Sequence, residues 1–509
     1  MTRAHRLADT AAAATPAERD RFADAVRAGS ILAVVLGHWL ITQFVWRHGT
    51  VELRSALGAA PSMWPLTWVL QVIPLFFFVG GYANRRSWQG TQHRGGDYAA
   101  FVDRRLHRLL APTVVFLIAV TAWSLVEAWA GWDVLGAGGL VMLQPLWFLG
   151  VYVVVIALTP LTVSWHERWG WRVVFAALAV VAAIEFVRIG LGHGWVAYAN
   201  VVVVWVLAHQ FGYLYGDGSL TRGRAAAMAV AGFGAAAGLV AAGVYPARMI
   251  GVPGDTLVNM NPPTAAMTAL AVGQIGLAVL LRGVVEPVLH RRRVWLGVVA
   301  VNLSIMSIYL WHQFALAVVS RIGLPLGLPQ PAAGTASWWL ARPMWFILAG
   351  AVLALTAVAV SRFEHRPPPP TPPARSRTST VTATVAVLFL APGLLALAGT
   401  DSTEMLAVHR LLRFLDVAPV IGLVLIGAAV WLLHALRAGD GPARRALFGA
   451  ACCFLVTGVA YAVGIGPVPR APRVLMLEAA LASVAVVAAA VTTTGARHVP
   501  GGPGERALP

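Results

Sequence analysis

Long apolar runs separated by short arginine-bearing loops constrain this chain more than any other feature. A helix needs about 20 mostly apolar residues to cross the hydrocarbon core of a bilayer. No water is available there, so a spanning segment must satisfy its own backbone polar groups, as a helix does. Such runs recur about fourteen times. They lie near residues 29–46, 63–83, 109–130, 142–163, 173–191, 196–215, 225–245, 264–282, 295–319, 342–362, 381–399, 415–435, 446–464 and 474–494. The pattern predicts an all-α, polytopic membrane protein with about 14 transmembrane helices. Composition agrees, with 58% hydrophobic and only 12% charged residues, against about 25% charged in soluble domains.

The loops give orientation. All 38 basic residues are Arg, and the net charge is +17. In a soluble protein that charge would suggest nucleic acid; here the arginines cluster at helix ends, and no nucleic-acid partner is expected. Loops after even-numbered spans are rich in Arg, such as Arg85, Arg86, Arg94, Arg104, Arg105 and Arg108, or Arg291 to Arg293. Loops after odd-numbered spans are poorer. The positive-inside rule then places both termini in the cytoplasm. Residues 1–28 are polar and carry no cleavable-signal pattern. The two cysteines, Cys452 and Cys453, are adjacent in an apolar run and make neither a disulfide framework nor a metal site.

One boundary is visible. Arg366 to Thr380 reads RPPPPTPPARSRTST, which cannot continue a helix and favours an extended linker. The expected organisation is a cytoplasmic segment at 1–28, a ten-helix membrane domain at 29–363, a cytoplasmic linker at 364–380, a four-helix membrane module at 381–495 and a cytoplasmic tail at 496–509. No internal repeat of the transporter kind is visible.

Several residues could carry chemistry. Arg27 and His38 are eleven apart, about three helical turns and roughly 16 Å of rise, so they share one helical stripe. An ionisable residue inside a span is a functional-site hypothesis by default. Arg27 suits an anionic cofactor, and a neutral His38 suits proton acceptance from a hydroxyl. Asp24 stands one turn before Arg27. Arg105 and Arg108 share a face at the start of the third span and suit phosphate. An ordinary anchor at the membrane edge is the competing reading of each arginine, and a packed polar residue that of His38. Further along, Pro74 to Tyr82 is Phe-rich and closes on Gly80-Gly81-Tyr82, whose glycines permit close helix packing or ligand approach. Trp147 lies in the fourth span, and Tyr309 and His312 in the ninth. His312 needs a partner or a wet cavity. Glu127 and Glu185 lie in the outer parts of spans three and five. They could line an acceptor path, although Glu185 and Arg188 are also spaced for a mutual ion pair.

Arg27-x10-His38, the Phe-rich segment ending in Gly-Gly-Tyr82, Arg105-x2-Arg108 followed by Pro112, Leu-Trp147-Phe-Leu and Ile-Tyr309-Leu-Trp-His312 follow one another in the order and spacing of the acyltransferase-3 family. The chain resembles that family over roughly residues 20–362. The resemblance implies a bacterial membrane-bound O-acyltransferase with ten core helices. It implies that His38 is the essential histidine and that Arg27, Arg105 and Arg108 contact acyl-CoA. Gly80 departs from the pattern, since many relatives carry Ser there. The family's optional esterase-like domain is absent, and the last four spans lie outside the resemblance.

The reading is therefore transfer of an acyl group, most simply acetyl, from cytoplasmic acyl-CoA to a hydroxyl of a glycan, glycolipid or other envelope or secreted acceptor. No metal is required, and the setting is the bacterial inner membrane. His38 would serve as general base or as acyl carrier. A multi-pass transporter or flippase is the principal alternative, and a non-catalytic scaffold a further one.

Overall fold

The structure is a computed structural model. It describes residues 16, 19–47, 50–130, 142–252, 254–364, 376–398, 409–411, 415–417, 419–463 and seven positions between 481 and 489. Helices dominate, and only two short antiparallel hairpins occur among the described residues. Eleven helical segments there are long and apolar enough to cross a membrane. They correspond to the first eleven expected spans. The twelfth falls on a shorter apolar helix, Ile421–Arg437, and the thirteenth on Asp440–Val463. The fourteenth lies largely outside the described residues. So does the proline-rich stretch at 365–375.

The chain divides into two compact units. Met1–Gly90 and His107–Pro368 form the first; Thr91–Leu106 and Pro369–Pro509 form the second.

The first unit is organised around helix α1, Arg21–Ile41. Asp20 caps it, its side chain accepting from the Ala23 N–H at 2.9 Å. The helix begins eight residues before the expected span and ends five before it. The early end has a local cause. Thr42–Arg47 (β1) is rich in β-branched and aromatic residues and pairs antiparallel with Thr50–Ser55 (β2). His38 therefore sits in the last turn of α1 and not half way along a longer helix. Exposed Gly29, Leu32 and Leu36 lie on the face opposite the Arg27–His38 stripe, so the stripe faces inward.

Short helical turns aside, the unit continues with α2 (Trp64–Leu70), α3 (Ile73–His93), α4 (Tyr98–Ala130), α5 (Leu146–Trp169), α6 (Trp171–Glu185), α7 (Asn200–Gly216), α8 (Arg222–Ala241), α9 (Ala265–Leu289), α10 (Arg292–Leu303), α11 (Ile305–Gly323) and α12 (Ala336–Glu364). The ninth expected span is thus two helices, broken at Ser304. Helix α1 packs against α9, α10, α11 and α12.

Glycines set the closest approaches. A Cβ on Gly81 would stand 2.0 Å from the carbonyl oxygen of His209, and one on Gly212 2.1 Å from that of Phe78. Helices α3 and α7 therefore meet backbone to backbone, the packing use of the glycine pair. Gly232 and Gly276 bring α8 and α9 together in the same way, with Cβ positions 2.2 Å from the Gly273 nitrogen and 2.5 Å from the Ala225 oxygen.

In the second unit, α13 (Arg377–Ala398), α14 (Pro419–Arg437) and α15 (Asp440–Val463) pack on one another. Residues 91–106, the start of α4 included, group with them. Asp103, only 1% exposed, accepts from the Arg437 guanidinium, with Nη2 at 2.9 Å and Nε at 3.1 and 3.2 Å.

Candidate active site

The two histidines read separately from the sequence come together. His38 Nδ1 lies 2.7 Å from His312 Nε2, with ring centroids 5.0 Å apart and planes only 23° apart, so the two imidazoles meet edge to edge. The bonding fixes the tautomers. His312 Nδ1 lies 2.6 Å from the Tyr309 carbonyl oxygen, which can only accept, so Nδ1 carries the proton. His312 Nε2 is then the acceptor, and His38 must donate to it from Nδ1. His38 Nε2 is left as the basic nitrogen of the pair. Trp39 braces the arrangement by donating from Nε1 to the His312 carbonyl at 2.8 Å. His312 is fully buried.

An aromatic wall adjoins the pair. The Tyr309 hydroxyl donates to the Pro145 carbonyl. Its ring meets Phe148 edge-on at 5.6 Å and approaches His312 at 6.3 Å. Phe148 in turn meets Phe76 and Phe77 edge-on at 5.1 and 5.3 Å and stacks on Tyr152. Much of the Phe-rich segment is therefore packing around Tyr309. Trp147 is half-buried and edge-on to Phe148 at 6.2 Å. At Gly80 a Cβ would lie 3.2 Å from the Tyr152 ring, so Tyr152 packs against this glycine.

At the other end of α1 lies a cleft of about 390 Å³, lined by Pro16, Arg19, Asp20, Ala23, Asp24, Arg27, Val79, Tyr82, Ala83 and Arg86. Arg27 is held there by a residue that the sequence reading passed over. Its Nε donates to Asn302 Oδ1 at 2.6 Å, while Asn302 Nδ2 donates to the Asp24 and Val298 carbonyls at 2.9 and 3.0 Å. The break at Ser304 lets α10 end with Asn302 against α1. An Asn inside an apolar run was the available signal. Arg19 pairs with Asp24 at 2.5 Å, and this hydrogen bond is the main reason its guanidinium is held above its ordinary value. Arg86 donates to the Tyr82 hydroxyl at 2.6 Å and lies over its ring. Among the described residues, three guanidiniums and two carboxylates thus frame the cleft, a set suited to an anion.

The other expected residues lie elsewhere. Arg108 is exposed on α4, Arg105 belongs to the second unit, and neither lines the cleft. Glu127 is on α4, outside the residues whose side chains are described. Glu185 is buried and occupied. Oε1 accepts from Asn200 at 3.0 Å and Arg188 at 3.3 Å, and Oε2 accepts from Tyr245 at 2.6 Å. Burial first, then this bond, push the Tyr245 phenol well above its usual value, so it remains a donor.

Between the cleft and the histidines, Ser30 is 3% exposed, and its hydroxyl has no partner among the described residues. Ser55 and Thr382 share this state, whereas Thr113, Thr159, Thr162, Thr268 and Ser320 all donate to the carbonyl four residues back.

Arg342 on α12 is the second residue that sequence reasoning missed. It is 4% exposed. Its guanidinium lies 4.8 Å from the Trp338 ring centroid and 5.1 Å from that of Trp345. Nε and Nη2 are buried without a hydrogen-bond partner, and no carboxylate pairs with it among the described residues. A cation–π contact is worth about 0.5–2 kcal/mol, whereas burying an unpaired ion costs several kcal/mol. The two aromatic contacts alone leave the cation undercompensated.

These features define a polytopic membrane protein with a histidine pair inside the helical bundle and an anion-suited cleft three turns away. A family model for an acyltransferase domain, acyltransferase-3, matches residues 20–362. More than half of the chain lies within that match, and the chain belongs to this family. It is a membrane acyltransferase by fold and family. No curated protein and no solved structure matches it.

Proposed function

We propose that the protein transfers an acyl group, most simply acetyl, from acyl-CoA to a hydroxyl of an envelope or secreted acceptor. The observation that carries this reading is the tautomer assignment at the histidine pair, which leaves Nε2 of the half-buried His38 as a base on the same stripe as an arginine cleft. Arg27, Arg19 and Arg86 would take the phosphates of the donor at the cytoplasmic end of α1. Arg105 and Arg108 enter as donor contacts through the family pattern alone. The extended thioester arm would then run about 16 Å along α1, past the unpartnered Ser30 hydroxyl, which suits an amide of that arm.

At the far end, His38 Nε2 would take the proton as the acceptor oxygen attacks the thioester carbonyl. The C–S bond then breaks, and the departing thiolate recovers the proton from His38. The neutral Nε2 of His312 accepts from His38 Nδ1 throughout, and that bond strengthens as the imidazolium forms. This support favours the general-base route over an acyl-histidine. Positioning and the base together are the sources of rate; a base of this kind contributes about 10²–10⁴-fold.

The test uses the purified full-length protein with radiolabelled acetyl-CoA and host membrane extract, beside His38→Ala, Arg27→Ala and Arg108→Ala. The expected result is a base-labile labelled product from the wild type, lost in His38→Ala and reduced in Arg27→Ala. Activity of His38→Ala equal to wild type overturns the catalytic assignment. Solute flux across sealed vesicles without acyl-CoA consumption would replace the reading with transport.

A further inference from the structure

Arg342 is a charge that the mechanism above does not use. Its place relative to the histidines follows from the packing. Phe346, one turn further along α12, lies 6.3 Å from Trp39, and Trp39 is bonded to His312. Trp338 shares a core cluster with Leu40, Ala56 and Leu57. Those residues follow His38 in the chain, whereas the arginine cleft precedes it. Arg342 therefore lies beyond the histidine pair, on the side away from the donor cleft.

Nothing local explains the cation. A membrane protein that buries a guanidinium with two unpartnered nitrogens is holding donors for something that arrives. Lys would supply a point charge; the planar fork of Arg matches the two oxygens of a carboxylate or phosphate. The Trp338 and Trp345 rings hold the guanidinium at 4.8 and 5.1 Å, so its place is set before any ligand binds.

Building on the acyl-transfer reading, we propose that Arg342 binds an oxyanion of the acceptor, so that the hydroxyl compound acylated here is itself anionic, carrying a carboxylate or a phosphate. The ion pair anchors the acceptor beyond His38 and presents one of its hydroxyls to Nε2.

The test compares matched acceptors with the full-length protein in a neutral detergent. Methyl β-glucuronide is set against methyl β-glucoside, and phosphatidylglycerol against monoacylglycerol, with wild type, Arg342→Lys and Arg342→Leu. Because each variant supplies its own anionic-to-neutral ratio, a general loss of folded protein cancels. In the wild type the anionic member of at least one pair should show a kcat/KM at least about tenfold higher than its neutral partner, the worth of one charge-assisted hydrogen bond. That ratio should fall toward one in Arg342→Leu and be partly kept in Arg342→Lys. Preference within the first pair identifies a carboxylate, and within the second a lipid phosphate. An equal ratio in wild type and Arg342→Leu overturns the proposal, as does the absence of preference in both pairs.

Thermal stabilisation by the same compounds is read in parallel. If wild type transfers nothing, yet an anionic probe stabilises it and not Arg342→Leu, the acyl-transfer reading falls and the anion site stands. If no anionic probe is preferred or stabilises, the anion site falls.

Discussion

Replacing His312 tests the central geometry most directly. In His312→Leu the His38 Nδ1–H loses its acceptor, now 2.7 Å away. The imidazole is then free to place its proton on either nitrogen and to rotate. The bond at stake is one to a group that becomes charged in the reaction, worth about 1.5–3 kcal/mol. At 1.4 kcal/mol per tenfold, kcat should fall about 10- to 10²-fold. The donor KM should stay within about twofold, because the arginine cleft is three turns away. His312→Gln is the control. Its side-chain oxygen can accept from Nδ1 and should restore much of the rate, whereas Leu cannot. The assay is initial-rate transfer from acetyl-CoA at saturating acceptor, with thermal unfolding of each variant measured alongside. Equal rates for Leu and Gln would refute the argument, since both then act through packing alone. An unchanged rate in His312→Leu would remove His312 from the site.

The remaining tests address the scaffold. Asn302→Leu should release Arg27 and raise the donor KM about tenfold with little change in kcat, read from saturation curves in acetyl-CoA. Gly81→Ala should destabilise markedly, because its Cβ would meet the His209 carbonyl at 2.0 Å, and overpacking against backbone costs at least about 1–3 kcal/mol. Gly80→Ala should cost much less, since the Tyr152 ring at 3.2 Å can shift; thermal unfolding orders the two. Asp103→Ala should cost about 3–5 kcal/mol by orphaning Arg437, seen as accelerated proteolysis within the helices after residue 376.

Much of this was legible in the chain, where the signal is local. Eleven residues make three turns, so Arg27 and His38 had to share a stripe, and the exposed Gly29, Leu32 and Leu36 show that the stripe faces inward. Apolar length located the first eleven spans. What stayed hidden depends on distant partners. His38 and His312 are 274 residues apart, and periodicity cannot join them. Asn302 reads as one polar residue in an apolar run until the break at Ser304 brings it to Arg27. Arg342 looks like any arginine near a helix end, because only packing shows that its charge is buried and uncompensated. Apolar length overshoots the end of α1 because β1 continues the apolar run past Ile41.

Helix α1 carries an anion-suited cleft at one end and the histidine pair at the other, and under the proposed function a rigid helix makes that separation a ruler. Its scale is set by residue count. One extra residue between Arg27 and His38 turns the imidazole by about 100° and takes it off the stripe. Four extra residues return it to nearly the same face but about 6 Å further out. Register along this one helix would therefore select donors by the length of the arm between anionic head and reactive carbonyl, separately from the chemistry of either end.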